Sequence, residues 1–177
     1  ASKVSAPGTI SRGDQPTASM GGWGDSGDSH SMNITFDQDG DYSISTEYTD
    51  LAGNPAVPVK SEDFTIDKTA PVIEFDKASV TDKKAYSGVI APRLLFSDTN
   101  YDPNGVTFTL TGIKNSKGKD LRLTEVFNDE TGYGGSISYE NFANIKANDD
   151  IYTARGTITD RAGNTSEVSI TFSVNRF

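Results

Sequence analysis

The sequence predicts an all-β protein, organised as two β-sandwich units in tandem. Three observations carry that expectation. One stretch is written twice: Tyr42-Ser-Ile-Ser-Thr-Glu-Tyr-Thr-Asp50-Leu-Ala-Gly53-Asn54 returns as Tyr152-Thr-Ala-Arg-Gly-Thr-Ile-Thr-Asp160-Arg-Ala-Gly163-Asn164. The copies lie about 110 residues apart, the length of one sandwich domain. Wherever apolar residues show a pattern they alternate with polar ones, the period of a strand, and no 3.6-residue period persists. Clusters of Gly, Asp, Asn and Ser punctuate the alternation as turns.

In chain order, residues 1 to about 30 carry little pattern. Val4 and Ile10 sit among Pro7, Gly8, Gly13 and Pro16, and the run from Met20 to Asp28 is too Gly-rich for regular structure, so a loop or loose edge is expected. From Ser31 the signal sharpens. Met32, Ile34 and Phe36 alternate as one strand, Asp37 to Asp41 form a turn, and Tyr42, Ile44 and Tyr48 carry the next strand. Gly53 suits a turn that needs positive φ. Val57, Val59, Phe64 and Ile66 form the return strand, and Asp67 to Pro71 is the junction. Pro71 fixes its own φ and biases Ala70 to an extended shape, so the link is short and stiff.

The second unit reads more fully. Strands are expected at Val72 to Phe75, Val89 to Phe96, Val106 to Leu110, Leu121 to Val126, Gly134 to Phe142, Ile151 to Thr159 and Val168 to Val174. Pro92 marks an edge or bulge, and one short helical turn fits between Tyr139 and Ala147. About seven strands with a turn signal every 8–12 residues or so is the profile of an immunoglobulin-like sandwich. The expected domains are thus 1–69, an immunoglobulin-like unit lacking its early strands, and 70–177, a complete one. The strands missing from the first unit are either cut off at residue 1 or supplied by another chain.

Composition sets the function classes. A net charge of −9 disfavours nucleic acid, which needs clustered Lys and Arg, and is compatible with cation binding. The chain has no cysteine, which excludes a disulfide-stapled immunoglobulin domain and leans toward a bacterial surface. No apolar run approaches the roughly 18–20 residues of a membrane span. A start at Ala-Ser-Lys suggests a piece of a longer protein, whose neighbouring domains would be partners.

The run Asp39-Gly-Asp-Tyr42, Thr49-Asp-Leu-Ala-Gly-Asn54, Phe64-Thr-Ile-Asp67-Lys-Thr-Ala-Pro71-Val-Ile73 resembles the bacterial Ig-like repeats of cell-surface and adhesin-type proteins. Tyr152, Thr159-Asp-Arg-Ala-Gly-Asn164 and Phe172-Ser-Val resemble the same family's ending. The resemblance covers the last third of each unit. It implies a secreted or wall-attached bacterial protein in which such modules act as spacers, ligand-binding stalks or accessory domains beside enzymes. The family shares no catalytic residues.

The candidate residues follow from their types and spacing. Tyr42 and Tyr152, each after an Asp-rich turn, suit tyrosine corners, and Asp50 and Asp160 suit side-chain bonds that organise the hairpins closed by Gly53 and Gly163. Asp37, Asp39 and Asp41 alternate around Gly40, a spacing that can aim carboxylates at calcium or simply make a tight turn. Asp98, Asn100, Asp102 and Asn104 are a second such set; Asp25 and Asp28 are a weaker one. Arg12-Gly13-Asp14 spells an integrin-type tripeptide, a match frequent by chance. Trp23, flanked by glycines, can stack on a sugar or anchor a loop. His30, the single histidine, is expected in an exposed loop, and with no cysteine a zinc site is disfavoured. No catalytic residues and no obligatory cofactor are expected. The functional expectation is a non-catalytic stalk, spacer or adhesion module with a protein or glycan ligand. The alternative is a carbohydrate-binding accessory of a glycan-active enzyme, using exposed aromatics Trp23, Tyr101 and Tyr133. An enzyme in its own right has least support.

Overall fold

A computed structural model describes residues 3–5, 18–26, 29–47, 49, 52–57, 59–60, 63–113, 123–126, 133–139 and 146–175. These residues are mostly strand, with only two single-turn 3-10 segments, Pro103–Gly105 and Lys146–Asn148. The second overlaps the end of the interval, Tyr139 to Ala147, where the sequence suggested a helical turn. No helix among the described residues is long and apolar enough to cross a membrane. The chain divides into two compact units, Ala1–Thr69 and Ala70–Phe177, the boundary falling inside the Asp67-to-Pro71 junction.

In the first unit, β1 (Lys3–Ser5), β2 (Ala18–Met20), β3 (Gly24–Ser26), β4 (Ser29–Ser31), β5 (Ile34–Phe36), β6 (Gly40–Tyr42), β7 (Ser45–Glu47), β8 (Val59–Lys60) and β9 (Phe64–Ile66) are all short. They pair antiparallel as β1-β7-β8, β2-β5, β3-β4 and β6-β9. Phe36, Tyr42 and Phe64 form an aromatic cluster with ring centroids 4.7 to 5.9 Å apart. Two expectations need correcting. The Gly-rich run after Met20 is not irregular: it supplies β3, which pairs with β4 to place Asp25 opposite His30, so that His30 lies on a strand. Backbone hydrogen bonding needs no apolar side chain, which is why periodicity missed this hairpin. Val57, expected to begin the return strand, is exposed and precedes it.

The second unit has two four-stranded sheets facing one core, a sandwich-like arrangement. One sheet runs in the order β10 (Val72–Phe75), β12 (Arg93–Ser97), β15 (Gly134–Tyr139), β14 (Leu123–Val126). The other runs β11 (Ala85–Tyr86), β17 (Thr165–Val174), β16 (Asp150–Thr159), β13 (Val106–Gly112). All pairs are antiparallel except β11 with β17. Alternation decides the faces. Along β16, Tyr152, Ala154, Gly156 and Ile158 are buried while Ile151, Thr153 and Arg155 face solvent. Phe75, Leu94, Phe96, Ile137 and Tyr139 meet Phe108, Leu110, Ile158 and Phe172 across the core. The Phe108 ring lies 4.8 Å from Tyr139 and 5.8 Å from Phe75. The Tyr139 hydroxyl, buried with them, donates to the Phe108 carbonyl at 3.0 Å. The strand expected from Val89 begins only at Arg93. Pro92 has no N–H to give a ladder, and it is buried instead at the entry to β12.

Candidate functional site

The repeated stretch builds the same closure in both units. After the Asp37-to-Gly40 turn, Tyr42 is 2 % exposed, and its hydroxyl donates to the Gln38 carbonyl at 2.8 Å. Its ring stacks on Phe64, its partner in register, at 5.9 Å. Tyr152 donates to the Asn148 carbonyl at 2.8 Å and stacks on its own register partner Phe172 at 5.7 Å. Burial, then the charges of Asp37 and Asp39, hold the Tyr42 hydroxyl above the ordinary phenol value. Gly53 and Gly163 take φ +90 and +94, a conformation that L side chains rarely adopt. Asp160 is buried and accepts from the Ala162 and Asn164 backbone N–H groups at 2.8 and 2.9 Å and from the Asn164 amide at 2.9 Å. Asp50, its counterpart, lies outside the described residues.

The acidic turn of the first unit is fastened to the segment that leaves β9. The Asp39 carboxylate accepts from the Lys68 backbone N–H at 2.9 Å and from the Thr69 hydroxyl. Lys68 Nζ donates to the Asp37 carbonyl at 2.9 Å, and the Thr65 hydroxyl donates to Asp41 at 2.7 Å. Asp67 in turn accepts from the Thr69 N–H at 3.0 Å. The Thr69 hydroxyl first, aided by the Lys68 N–H and ammonium, holds the Asp39 carboxyl below the usual carboxylate range against the opposing effect of burial. Asp39 thus accepts from Lys68 and Thr69 beyond β9 and Asp41 from Thr65 within it, and Asp37, Asp39 and Asp41 are not gathered into a three-carboxylate cluster. The Asp-x-Asp-Gly-Asp spacing revealed the turn. Lys68 and Thr69, distant in sequence, gave no sign of being its partners.

In the second unit, the loop after β12 docks on the hairpin between β16 and β17. Asp98 accepts from the Asn100 N–H at 2.6 Å, and the Asn100 carbonyl accepts from the Arg161 N–H at 3.0 Å. Asp102 caps the Pro103–Gly105 turn, accepting from the Asn104 N–H at 2.9 Å. The set Asp98, Asn100, Asp102 and Asn104 is therefore spread along a self-capped loop. Of the set, Asp98 comes to within 4.8 Å of an Asp160 oxygen, an approach that the sequence did not suggest.

The remaining candidates are scattered. Trp23 is 46 % exposed on the segment between β2 and β3. Tyr133 is 39 % exposed. Tyr101, expected among the exposed aromatics, is buried and stacked on Phe96 at 5.5 Å, because its loop folds over the sheet end. Arg12, Gly13, Asp14 and Asp28 lie outside the described residues. Compared with known proteins, the chain matches no family model and no curated protein.

Proposed function

We propose that the chain is a non-catalytic pair of immunoglobulin-like modules of a bacterial surface or secreted protein, working as a stalk or spacer that presents adhesion-type binding surfaces. The observation that supports this most is the fastening of the exit segment. Asp39 grips both Lys68 and Thr69 within the first unit, so the chain leaves that unit under restraint. A spacer needs such restraint, since a slack link would not hold a module away from a surface. Tyr42, Tyr152 and Asp160 of the repeated stretch are occupied in corners and a turn, which supports a mechanical role over a chemical one. Small-angle scattering of the whole chain tests the reading. The expected profile is extended and narrow in its size distribution, and Asp39→Ala broadens it. A compact profile, unchanged by Asp39→Ala, contradicts it.

The exposure of Trp23 favours a second reading, a glycan-binding accessory module. Binding on a glycan array that is lost on Trp23→Ala supports it; the absence of any glycan signal removes it.

A further inference from the structure

The two units share the register of their closing pair, which lets one be laid over the other. Tyr42 faces Phe64 as Tyr152 faces Phe172. The repeat sets Glu47 on Thr157. Lys3, opposite Glu47, therefore stands where Thr107 stands opposite Thr157, and β1 is the counterpart of β13. The antiparallel pair β2 and β5, which follows β1, corresponds to β14 and β15, which follow β13. What precedes β13 in the second unit, namely β10, β11 and β12, has no counterpart among the described residues of the first.

The second unit shows what those strands cover. β12 pairs antiparallel with β15 and sets Leu94 and Phe96 into the core opposite Ile137 and Gly135. β11 runs parallel to the end of β17, and the Tyr86 ring stands edge-on to Phe172 at 6.1 Å. Under that cover Phe172 and Val174 are 1 % and 2 % exposed. Their register counterparts Phe64 and Ile66 are only half-buried, as are Ile34 and Phe36 of β5. Among the described residues β5 pairs only with β2, and β9 only with β6.

We propose that the first unit is a strand acceptor: the second edge of β5, unpaired among the described residues, takes an extended segment with the chemistry of β12 from a partner polypeptide. An uncovered sheet edge presents a row of N–H and C=O groups that a strand can pair with. Affinity then comes from the main chain and specificity from alternate side chains. The occupant is defined by the second unit itself. It lies antiparallel to β5, with apolar residues at alternate positions facing inward as Leu94 and Phe96 do, and polar or mixed residues such as Arg93 and Ser97 outward. This inference concerns how the first unit is completed and stands apart from the spacer reading.

The test joins residues 70–104 directly before Ala1 of the whole chain, the junction that the strand correspondence dictates. Amide exchange at Ile34–Phe36 and Phe64–Ile66 is expected to slow by about tenfold or more relative to the unmodified chain, with Phe172–Val174 unchanged. Leu94→Asp with Phe96→Asp in the joined copy alone is expected to abolish the gain. Against a joined segment that fails to dock, a synthetic peptide of residues 90–98 is added to the unmodified chain. It is expected to protect β5 saturably without altering β15. Three results overturn the proposal. In one, β5 of the unmodified chain already exchanges as slowly as β15. In another, protection rises with protein concentration together with a doubled mass, which assigns the edge to a second copy. In the third, neither the joined segment nor the peptide changes exchange at β5.

Discussion

Replacing Gly156 with alanine probes the tightest packing between the two sheets of the second unit. Gly156 lies inward on β16, between Phe108 and Val168 in register. A Cβ built there falls 2.5 and 2.7 Å from the two terminal methyls of Leu94 and 3.2 Å from Ile73 Cδ1. Carbon atoms pack at about 3.5–4.0 Å, so the added methyl is roughly 1 Å too close. Leu94 is 0 % exposed and cannot swing into solvent. Gly156→Ala should cost about 1–3 kcal/mol by overpacking. Leu94→Ala alone should cost about 2–5 kcal/mol through lost burial and the void left behind. In the double variant the new methyl enters space that Leu94 vacated, so the two losses should fall short of their sum by about 1–3 kcal/mol. Urea unfolding of the whole chain measures the cycle, with the second unit followed by tyrosine near-ultraviolet dichroism. Trp23, the single tryptophan, sits in the first unit, and its fluorescence transition should stay in place. A neutral Gly156→Ala, or losses that add to within about 0.5 kcal/mol, would refute the packing argument.

Four further predictions concern the repeated stretch and the acidic turn. Tyr42→Phe and Tyr152→Phe each remove one hydroxyl-to-carbonyl bond and should destabilise their own unit by about 0.5–1.5 kcal/mol, read as separate thermal transitions; an effect in only one unit would show that the closures are not equivalent. Asp160→Ala removes three accepted hydrogen bonds at a buried site and should cost the second unit about 1–3 kcal/mol in urea unfolding. Gly163→Ala meets no neighbour, so any loss, expected at about 1 kcal/mol, comes from backbone strain alone. Asp39 has a lowered folded-state value, so its contribution is in full above the unfolded carboxylate range near pH ~4 and is lost as pH falls through the lower folded value. Trp23 fluorescence should therefore show an acid-side loss of first-unit stability that is smaller in Asp39→Asn; identical acid profiles would remove Asp39 from the account.

What could be read from the sequence follows from which forces leave a periodic trace. The all-β character and the long strands β13, β16 and β17 were legible because one face of each is buried, and burial writes a period of two. The hairpin at Gly163 was legible because positive φ demands a particular residue. β11 was not, since two residues, Ala85 and Tyr86, have no period, and their parallel partner lies far along the chain. β3 and β4 are held by backbone bonds among polar residues and glycine, which leaves no apolar mark. Tyr101 read as exposed because it stands alone in a polar loop, and only the docking of that loop buries it. The Asp39 clamp escaped notice for the same reason. Its acceptor is in a recognisable turn, but its donors, Lys68 and Thr69, are brought to it by the β6–β9 pairing.

The account rests on two units that share a closing architecture but differ in the strands that cover it. Residue-resolved amide exchange on the unmodified chain tests this most directly. Ser173, whose N–H donates to the Lys84 carbonyl just before β11, should exchange only on opening of the whole second unit, whereas its counterpart Thr65 should exchange faster by about two orders of magnitude or more. Equal protection at the two positions would mean that the first unit is already covered, and would contradict the account.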